Sequence, residues 1–490
     1  MRLERNKRYL VETEDNTKIV RFYDFQGAEQ TCQVMNYSRT GLAFVMEDGS
    51  LVLRIGDVIN DLRFYSLNKE IYRGSVSIVH IQDEEDEGKA LSSIGCSFND
   101  TQLDINTIAK GDKITKLQND FMDFIRSMAL EDNLDPEFVN LTSHLHYLFT
   151  GFQEKLTQDE EQIRQEEPEI RKLLVETLRE LAFDALFDEI IRYYDRFTRI
   201  TSRFTHSKQN FIHREFFQKR LMHFYMKSKL FNRAYTKPLG YAGDFEMMNI
   251  IYRNEYEGDD VFSQVMNKLE CEEAAAKAVR NRRTYLYEKL GEVVASLTKG
   301  DTVKIFSVAC GPAMEFFDIL LSLQGKELSF NVDFIGMDQD ELALEDARSR
   351  IEPLAKEKKN ISVSFIKDNI KRLIVGKEAE KEIYADADLI YTAGLFDYLS
   401  DRAAKRLIHK LYNFLKPNAL LIVGNFGLYN PQRFIMEYGG EWFLIHRSEE
   451  ELKGLAEGLP EDTTIGVEKE PEGVNLFLNI KKPSYQHVNP

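Results

Sequence analysis

The chain reads VKIFSVACGPAMEFFDILLS from Val303 to Ser322, and this stretch decides the fold. Val303–Val308 is a short apolar run of the kind that forms a strand buried on both faces of a parallel sheet. The small residues and the proline of Cys310–Ala313 interrupt it, and Met314–Leu323 has apolar side chains at helical spacing. The stretch therefore predicts a strand, a tight turn and a helix.

A second apolar run, Val332–Met337, ends on Asp338. Small residues at the preceding turn let a ligand approach the backbone, and a carboxylate at the next strand tip can accept hydrogen bonds from ribose hydroxyls. A dinucleotide site has three glycines beside the pyrophosphate, whereas here Gly311 is followed by Met314 at the third position. A phosphate-binding loop of the GxxxxGK[ST] type is also absent here. The pattern favours an adenosyl ligand without phosphates, namely S-adenosylmethionine.

The same stretch resembles the first motif of class I S-adenosylmethionine-dependent methyltransferases. The resemblance implies that Asp338 binds the ribose and that residues near Asp368 read the adenine amino group. The cofactor-binding residues that it implies are Ala309, Cys310, Gly311, Pro312, Asp338, Gln339, Asp368, Asn369, Gly394 and Leu395. Ser307 stands where an acidic residue is common, and Ala309 and Ala313 replace two glycines. The alternative is an ordinary α/β turn without a ligand.

Composition limits the classes of function. The 490 residues predict about three domains, and the net charge of −17 argues against general nucleic-acid binding. Four scattered cysteines form no C-x-x-C pair, so neither a disulfide framework nor a metal site is expected. The start MRLERNKRYL lacks an apolar signal core, and no apolar run approaches the length of a membrane span. These features predict a cytoplasmic protein.

Residues 1–100 are predicted to form a small β-barrel, because short runs rich in Val, Ile, Phe and Tyr alternate with turn signals. The predicted strands are Lys18–Phe25, Glu29–Met35, Gly41–Met46, Ser50–Ile55, Leu62–Ser66, Ile71–Gln82 and Leu91–Phe98. The acidic run Asp83–Glu87 is predicted to be a solvated hairpin tip.

Between two of these strands, Asn36–Gly41 reads NYSRTG, which is similar to the (D/N)-x-S-x-x-G motif of PilZ domains. The resemblance implies a cyclic di-GMP site, with Arg5, Arg8, Asn36, Ser38 and Gly41 as ligands. The family pairs this motif with R-x-x-x-R, whereas the arginines of this N-terminus are spaced by three. We therefore expect weak binding of cyclic di-GMP or none, and a simple polar turn is the alternative.

Residues 101–235 are predicted to form an α-helical module. The predicted helices are Ile114–Leu130, Pro136–Leu156, Pro168–Ile200 and Asn210–Tyr235. The segment 208–233 combines six aromatic side chains with seven Lys or Arg and one acid. It is either a core helix or a basic amphipathic surface in peripheral contact with anionic lipid or an acyl substrate.

Residues 236–485 are predicted to form the methyltransferase domain with an N-terminal helical lid, and to continue in α/β order. Strands are expected at Ile361–Ile366, Asp388–Thr392, Ala419–Asn425 and Trp442–His446. A final antiparallel hairpin is expected from Thr463–Glu468 and Val474–Ile480.

Three segments resemble bacterial methyltransferases for the biosynthesis of 3-hydroxypalmitic acid methyl ester. They are the loop Tyr235–Tyr252 with GYAGD at Gly240–Asp244, the helix with Asn281–Arg283, and Tyr391–Leu399, which contains LFDYL. This resemblance covers about Asn210 to the end of the chain. Loops bounded by rigid elements concentrate ligand contacts. On this basis the acceptor-side residues are predicted to be Asp397, Tyr398, Tyr241 and Asp244, although each could instead be structural.

The sequence thus predicts a methyltransferase whose barrel regulates it. Its acceptor is predicted to be the carboxylate of a 3-hydroxy fatty acid or a similar acid. No histidine lies in the acceptor-side strings, and an ionised carboxylate needs no general base. The alternative is a non-catalytic signalling protein that senses cyclic di-GMP or S-adenosylmethionine.

Overall fold

The computed structural model describes residues 9–11, 18–24, 27–47, 53–66, 69–86, 89–103, 134–204, 207–375 and 383–484, with residues 105, 108, 111, 113, 114, 117, 121 and 122. The chain forms two compact units, Met1–Glu131 and Asp132–Pro490. In the described ranges, every helix is too short or too polar to cross a membrane.

The first unit contains a closed antiparallel β-barrel. Its strands are β1 (Tyr9–Leu10), β2 (Lys18–Tyr23), β3 (Glu29–Ser38), β4 (Gly41–Glu47), β5 (Val58–Ser66), β6 (Lys69–Asp86) and β7 (Lys89–Phe98). The order β3-β2-β5-β6-β7-β4 closes by pairing of β4 with β3, and β1 lies against β3. Alternate side chains such as Val20 and Phe22 are buried inside it. The predicted barrel is therefore confirmed.

Two predictions in the barrel are wrong. Residues 53–57 form a turn rather than the end of a strand Ser50–Ile55, because the next ladder begins at Val58; residues 50–52 lie outside the described ranges. The second concerns the acidic run Asp83–Glu87, which was expected to be a hairpin tip. Asp83–Asp86 instead belong to β6, and Asp86 pairs with Lys89 at the end of the ladder. Strand pairing is a backbone interaction, so the ladder continues through acidic residues.

The second unit begins with four helices. They are α1 (Pro136–Ile163), α2 (Pro168–Thr201), α3 (Ser207–Tyr225) and α4 (Lys229–Thr236). The helices predicted to begin at Pro136 and Pro168 are confirmed. The single helix predicted over Asn210–Tyr235 is wrong, because the chain breaks between α3 and α4. Ser228 causes this break: its Oγ accepts a hydrogen bond from Phe231 N at 3.4 Å and caps α4.

The aromatic side chains of segment 208–233 belong to the core. Five of them have at most 8 % of their surface exposed: Phe216, Phe217, Phe224, Tyr225 and Phe231. Phe211 is 46 % exposed. Several of the cations pair with acids, as Lys229 does with Glu257. The structure therefore shows core helices here, and a lipid-inserting face is not formed by these buried aromatics.

The rest of the second unit is an α/β sheet with flanking helices. Three helices precede it: α5 (Phe245–Arg253), α6 (Val261–Glu272) and α7 (Ala274–Ala295). Its strands are β8 (Thr302–Val308), β9 (Asn331–Asp338), β10 (Ile361–Lys367), β11 (Ala387–Thr392), β12 (Leu415–Phe426), β13 (Thr464–Lys469) and β14 (Asn475–Lys481). The helices among them are α8 (Met314–Ser322), α9 (Glu341–Lys356), α10 (Ile370–Val375), α11 (Asp401–Phe414), α12 (Arg433–Gly439) and α13 (Glu449–Gly454).

The strand order of this sheet is β10-β9-β8-β11-β12-β14-β13. Strands β8 to β12 are parallel, and β14 runs antiparallel between β12 and β13. The predicted multidomain fold is confirmed: a barrel, a helical middle and a Rossmann-like α/β sheet whose last strand is antiparallel. The order reverses between β8 and β11, and ligands of open α/β sheets bind at the carboxyl ends of strands at such a switch point.

The strand predicted over Trp442–His446 is wrong. This segment is irregular because its backbone bonds serve loops rather than a ladder: Ile445 N donates to Asp397 O at 2.7 Å. A single bridge between Gly427 and Arg447 follows. The segment therefore crosses the carboxyl ends of the strands, where the cleft lies.

Candidate active site

The turn after β8 has a left-handed backbone at three positions. Ala309 has φ +52°, Gly311 φ +52° and Ala313 φ +46°. The turn is fixed to the neighbouring strand, because Cys310 N donates to Met337 O at 2.9 Å. Two alanines thus adopt the conformation that glycine adopts most easily, at a cost in backbone strain. The turn directs the start of α8 toward the carboxyl ends of the strands.

Asp338 joins this turn to the tip of β9. Its carboxylate accepts hydrogen bonds from Gly311 N at 2.9 Å and from Asp340 N at 3.0 Å. Burial raises the pKa of Asp338, and the backbone donors oppose this effect. Each carboxylate oxygen can accept a further hydrogen bond. Asp338 can therefore receive ribose hydroxyls without breaking its present contacts.

The end of β10 lies beside Asp338. Asp368 N donates to Asp338 O at 3.0 Å, which brings the two strand ends together. The Asn369 side chain accepts from Arg372 N at 2.8 Å and so fixes the loop before α10. Asp368 is therefore held beside the cleft with a carboxylate that can accept a hydrogen bond from an amino group.

These residues line one cleft of about 300 Å³. The walls include all ten predicted cofactor-binding residues: Ala309, Cys310, Gly311, Pro312, Asp338, Gln339, Asp368, Asn369, Gly394 and Leu395. Of the predicted acceptor-side residues, Tyr241, Asp397 and Tyr398 line it too. Within the described ranges, no three His, Cys, Asp or Glu side chains are grouped to hold a metal ion.

Asp397 is a buried carboxyl group in the short 3-10 turn Phe396–Tyr398 after β11. It accepts a hydrogen bond from Phe426 N at 2.7 Å. Burial raises the pKa of Asp397 to about 7, against the opposing effects of that hydrogen bond, Arg282 and Arg447. A carboxyl group with such a pKa can accept a proton near neutral pH.

Tyr398 has a structural use for its hydroxyl. Although 43 % of the residue is exposed, the hydroxyl has two hydrogen-bond partners. It donates to Ala242 O at 3.1 Å and accepts from Trp442 Nε1 at 2.7 Å. Burial raises the pKa of Tyr398, so the hydroxyl stays protonated. Tyr398 thus ties together the 240–244 loop and the segment that carries Trp442.

The structure does not bring Asp244 into the cleft lining. Its carboxylate accepts from Met247 N at 2.9 Å and caps α5. Arg233 Nε lies 2.6 Å and 2.9 Å from the two carboxylate oxygens. Asp244 therefore has a structural role, as helix cap and ion-pair partner, which was the alternative to an acceptor-side role.

Two charged side chains of the cleft were not predicted from the sequence. Glu315, in the first turn of α8, is 5 % exposed and lines the cleft. Arg282, on α7, is 7 % exposed and also lines the cleft. A signal for Arg282 existed, since it occupies the buried helical stripe of Ala278 and Leu286. Likewise, Glu315 is an acid at the start of an otherwise apolar helix.

A second, smaller cavity adjoins the cleft. It has a volume of about 40 Å³ and shares Val279, Phe426 and Trp442 with the cleft wall. Its other walls are mostly apolar and include Leu230 and Phe231. We call it the inner cavity.

The polar residues Glu270 and Glu273 also line the inner cavity. Tyr194 donates to Glu270 Oε1 at 3.0 Å, and the neighbouring carboxyl groups of Glu270 and Glu273 can share a hydrogen bond only when one of them is protonated. Burial raises the pKa of both carboxyl groups. The pair therefore retains a proton in the folded protein at pH values where an exposed glutamate has lost it.

In the barrel, three of the five predicted nucleotide ligands, Asn36, Ser38 and Gly41, lie at the β3–β4 hairpin. The buried Ser38 hydroxyl donates to Gly41 O at 3.3 Å and accepts from Thr40 N at 3.4 Å. A Cβ at Gly41 would lie 2.2 Å from Cys96 O, so the close approach of β7 requires glycine. Asn36 is half-buried on β3, whereas Arg5 and Arg8 lie outside the described residues. Cyclic di-GMP binding stays a prediction.

Comparison with known proteins gives weak structural likenesses. No protein-family model and no curated protein matches the sequence. A possible exported protein from Bordetella parapertussis has 18 % identity and a TM-score of 0.38, covering 49 % of this chain and 79 % of its own. Magnesium protoporphyrin IX methyltransferase from Synechocystis PCC 6803 with bound SAH has 12 % identity and a TM-score of 0.32, with coverages of 42 % and 86 %. The CurJ carbon methyltransferase has 14 % identity and a TM-score of 0.33, with coverages of 44 % and 56 %. At these scores the likenesses carry no functional conclusion.

Proposed function

We propose that this chain is an S-adenosylmethionine-dependent methyltransferase whose cofactor binds in the cleft. The observation that carries the proposal is the convergence of the Gly311 turn, Asp338 and Asp368 on one cleft at the switch point of the sheet. The cleft volume of about 300 Å³ falls within the range of small-molecule binding sites. A Cβ at Gly311 would point into open space, so the turn presents bare backbone to the ligand.

The protein's contribution to the reaction is binding, orientation and exclusion of water. When bound, S-adenosylmethionine supplies a methyl group on a sulfonium, which a nucleophile displaces in line. Asp338 and Asp368 orient the nucleoside, while Tyr241, Trp442 and Tyr398 enclose the opposite side of the cleft. Holding donor and acceptor in line provides most of the rate in such a displacement.

The experiment that tests this proposal uses S-adenosylmethionine labelled in the methyl group and an extract of small molecules and lipids from bacteria. We expect a labelled product and calorimetric binding of the cofactor. Cofactor binding without any labelled product would instead support the alternative function, a non-catalytic sensor of S-adenosylmethionine.

We propose that the acceptor is a carboxylate on an apolar chain, such as a 3-hydroxy fatty acid. The inner cavity supports this choice, because Leu230 and Phe231 give it apolar walls next to the cleft. Three cations of segment 208–233, Lys227, Lys229 and Arg233, pair with Asp260, Glu257 and Asp244. From this segment the proposal therefore uses the apolar contacts of Leu230 and Phe231.

A series of 3-hydroxy fatty acids of increasing chain length tests this acceptor. If the chain is buried, kcat/KM should rise by roughly 0.8 kcal/mol of transition-state binding for each added methylene until the cavity is full. A flat series, or a product methylated outside the carboxyl group, excludes it.

A second acceptor class is favoured by one observation, the pKa of about 7 at Asp397. A carboxyl group of this kind in the cleft can act as general base for a hydroxyl acceptor, which a carboxylate acceptor does not need. The position of the methyl group in the labelled product, determined by mass spectrometry, distinguishes the two classes.

We further propose that the barrel is a PilZ-like regulatory domain. The six-stranded closed barrel and the Ser38–Gly41 hairpin support this proposal. Ligand control of the methyltransferase would then depend on the barrel. Cyclic di-GMP is the effector that the resemblance implies, although the arginine spacing predicts that it binds weakly or not at all.

A further inference from the structure

Ser307 on β8, the position at which the resembled first motif usually carries an acid, does not belong to the cleft wall. The residue is 1 % exposed. Its hydroxyl is hydrogen-bonded to Tyr391, its neighbour on β11. The Tyr391 hydroxyl in turn donates to Glu315 Oε1 at 2.7 Å. The chain Ser307–Tyr391–Glu315 therefore ends in a carboxylate that does line the cleft.

Glu315 is held as a buried acceptor with one oxygen bonded to Tyr391. In the part of the chain that the structure describes, it forms no ion pair. Burial raises the pKa of Glu315, while Tyr391, a backbone donor, Arg283 and Arg282 oppose the effect. Buried carboxylates require a donor or a cation as partner. Glu315 thus has acceptor capacity directed at whatever occupies the cleft.

Arg282 is the complementary group. Its guanidinium contacts Met248 Sδ at 3.1 Å and is hydrogen-bonded to Tyr252, but its Nε has no partner. Among the described residues no carboxylate pairs with it, whereas the adjacent Arg283 binds Asp318 through two 2.7 Å bonds. A buried guanidinium without a carboxylate is a ready site for a bidentate anion.

Gly394 makes room for this guanidinium. A Cβ at Gly394 would lie 2.8 Å from Arg282 Nη1. Because Gly394 follows β11 at the switch point, Arg282 reaches the cleft between the strand ends. A buried cation and a buried anion therefore line one cleft without pairing with each other.

We propose that Arg282 and Glu315 bind the α-amino-acid end of S-adenosylmethionine, Arg282 its carboxylate and Glu315 its ammonium group. Glu315 thereby replaces the acid that position 307 lacks. The two groups act as binding residues for an amino-acid zwitterion, and the proposal rests on the proposed cofactor-binding function. The nucleoside half of the ligand is bound separately, by Asp338 and Asp368.

The test compares two ligands that differ in this part. S-adenosylhomocysteine carries the amino-acid group, and 5′-methylthioadenosine has the same nucleoside and a thioether without it. Their dissociation constants are measured calorimetrically for the full-length chain and for Glu315→Gln and Arg282→Gln. Each substitution should weaken S-adenosylhomocysteine roughly ten- to a hundred-fold, as expected for loss of a charge-assisted contact. Binding of 5′-methylthioadenosine should change less than about two-fold.

Asp338→Asn is the matched control, since it should weaken both ligands in the same proportion. Gly394→Ala provides a second route that removes no charge: the added methyl displaces Arg282 and should give the same selective loss. It remains informative if Arg282→Gln fails to fold. Equal weakening of both ligands by Glu315→Gln and Gly394→Ala, or no weakening of either, overturns the proposal. Failure of the unsubstituted protein to bind either ligand overturns the cofactor site itself, which is a distinguishable result.

Discussion

Asp338 shows how one side chain both builds and serves the site. Its carboxylate holds the Gly311 turn and the Asp340 backbone, and its free acceptor capacity faces the cleft. The sequence was sufficient to predict its place, because a strand and its terminal carboxylate are local features. Glu315 could not be predicted in the same way. Its exposure to the cleft depends on Tyr391, which lies 76 residues away in the sequence.

We expect Asp338→Ala to lower the affinity for S-adenosylmethionine about ten- to a hundred-fold. The reason is the loss of roughly 1.5–3 kcal/mol from hydrogen bonds to a charged acceptor. Calorimetric titration measures the change. Glu352→Ala is the control, since Glu352 is a surface acid on α9 paired with Lys356 and outside the cleft lining. An unchanged dissociation constant in Asp338→Ala would remove its ribose-binding role.

Ala309→Gly should alter stability by less than about 1 kcal/mol. Relief of left-handed strain, about 1–2 kcal/mol, offsets the larger unfolded-state entropy of glycine and the lost methyl contacts. Ala347→Gly is the contrasting control, because Ala347 is fully buried within α9 and should lose at least about 1 kcal/mol. Urea unfolding of both variants measures the difference. Similar losses at the two positions would show that the turn at Ala309 is not strained.

Asp397→Asn distinguishes the two acceptor classes through the pH dependence of the rate. If Asp397 is a general base, the wild-type rate should rise with pH and level off above about 7, where its carboxyl group is ionised. The variant should then be slower by about 10²–10⁴-fold. If the acceptor is a carboxylate, the wild-type rate should be flat above about pH 5, and the variant should lose much less. Tyr398→Phe serves as a comparison, since its hydroxyl has two structural partners.

At the scale of elements, a strand or helix could be predicted from the sequence when its own residues determine where it begins and ends. The strands β8, β9 and β11 were found because buried parallel strands are short apolar runs bounded by turn residues. The break between α3 and α4 was missed because both flanks have helical spacing. A single capping serine decides it. Trp442–His446 has the composition of a strand, yet its backbone N–H groups donate to Asp397 O and Met436 O instead of to a neighbouring strand. The five residues of this segment do not indicate which distant residues their backbone groups bond to, so the sequence could not predict its irregular structure.

The end of α6 carries an acidic pair whose protonation affects stability. Burial raises the folded-state pKa of Glu270, to about 8, and that of Glu273. Between about pH 4.5 and pH 8 the folded state binds more protons than the unfolded state, so stability falls as the pH rises. Glu273→Gln should reduce this fall, and its advantage in Tm over the wild type should grow with pH.

Scanning calorimetry from pH 5 to pH 9 measures this effect. The control is Glu292→Gln, whose side chain is 68 % exposed on the next helix and should leave the pH profile unchanged. Parallel profiles for the wild type and Glu273→Gln would contradict the shared proton.

At the scale of the molecule, three domains were predicted, with divisions near residues 100 and 235. The structure has two compact units divided at Glu131. The helical segment shares one core with α6 and α12, since Phe217 and Tyr225 cluster with Val265 and Tyr438. Sequence periodicity identifies helices but not which of them share a core, because that depends on contacts across about 200 residues. The division at 235 stays a proposal about folding units.

We expect the full-length chain to bind cyclic di-GMP more weakly than micromolar, or not at all. The arginine spacing departs from the PilZ clamp, and each lost bidentate contact removes charge-assisted hydrogen bonds. Calorimetric titration, with methyl transfer measured in parallel, is the test. Arg5→Ala and Arg8→Ala are the informative variants if binding is observed, with Arg54→Ala as a control arginine elsewhere in the barrel. Submicromolar binding that requires Arg5 and Arg8 would prove this prediction wrong.

The hydroxyl of Tyr398 has a kinetic consequence. It bonds at once to Ala242 on one loop and to Trp442 on another, and both loops line the cleft. If the cofactor binds in this cleft as proposed, a molecule enclosed between the two loops leaves when these hydrogen bonds open. We therefore expect the hydroxyl to slow entry and exit alike. Its loss should shorten the residence time of the cofactor product more than it changes the equilibrium affinity.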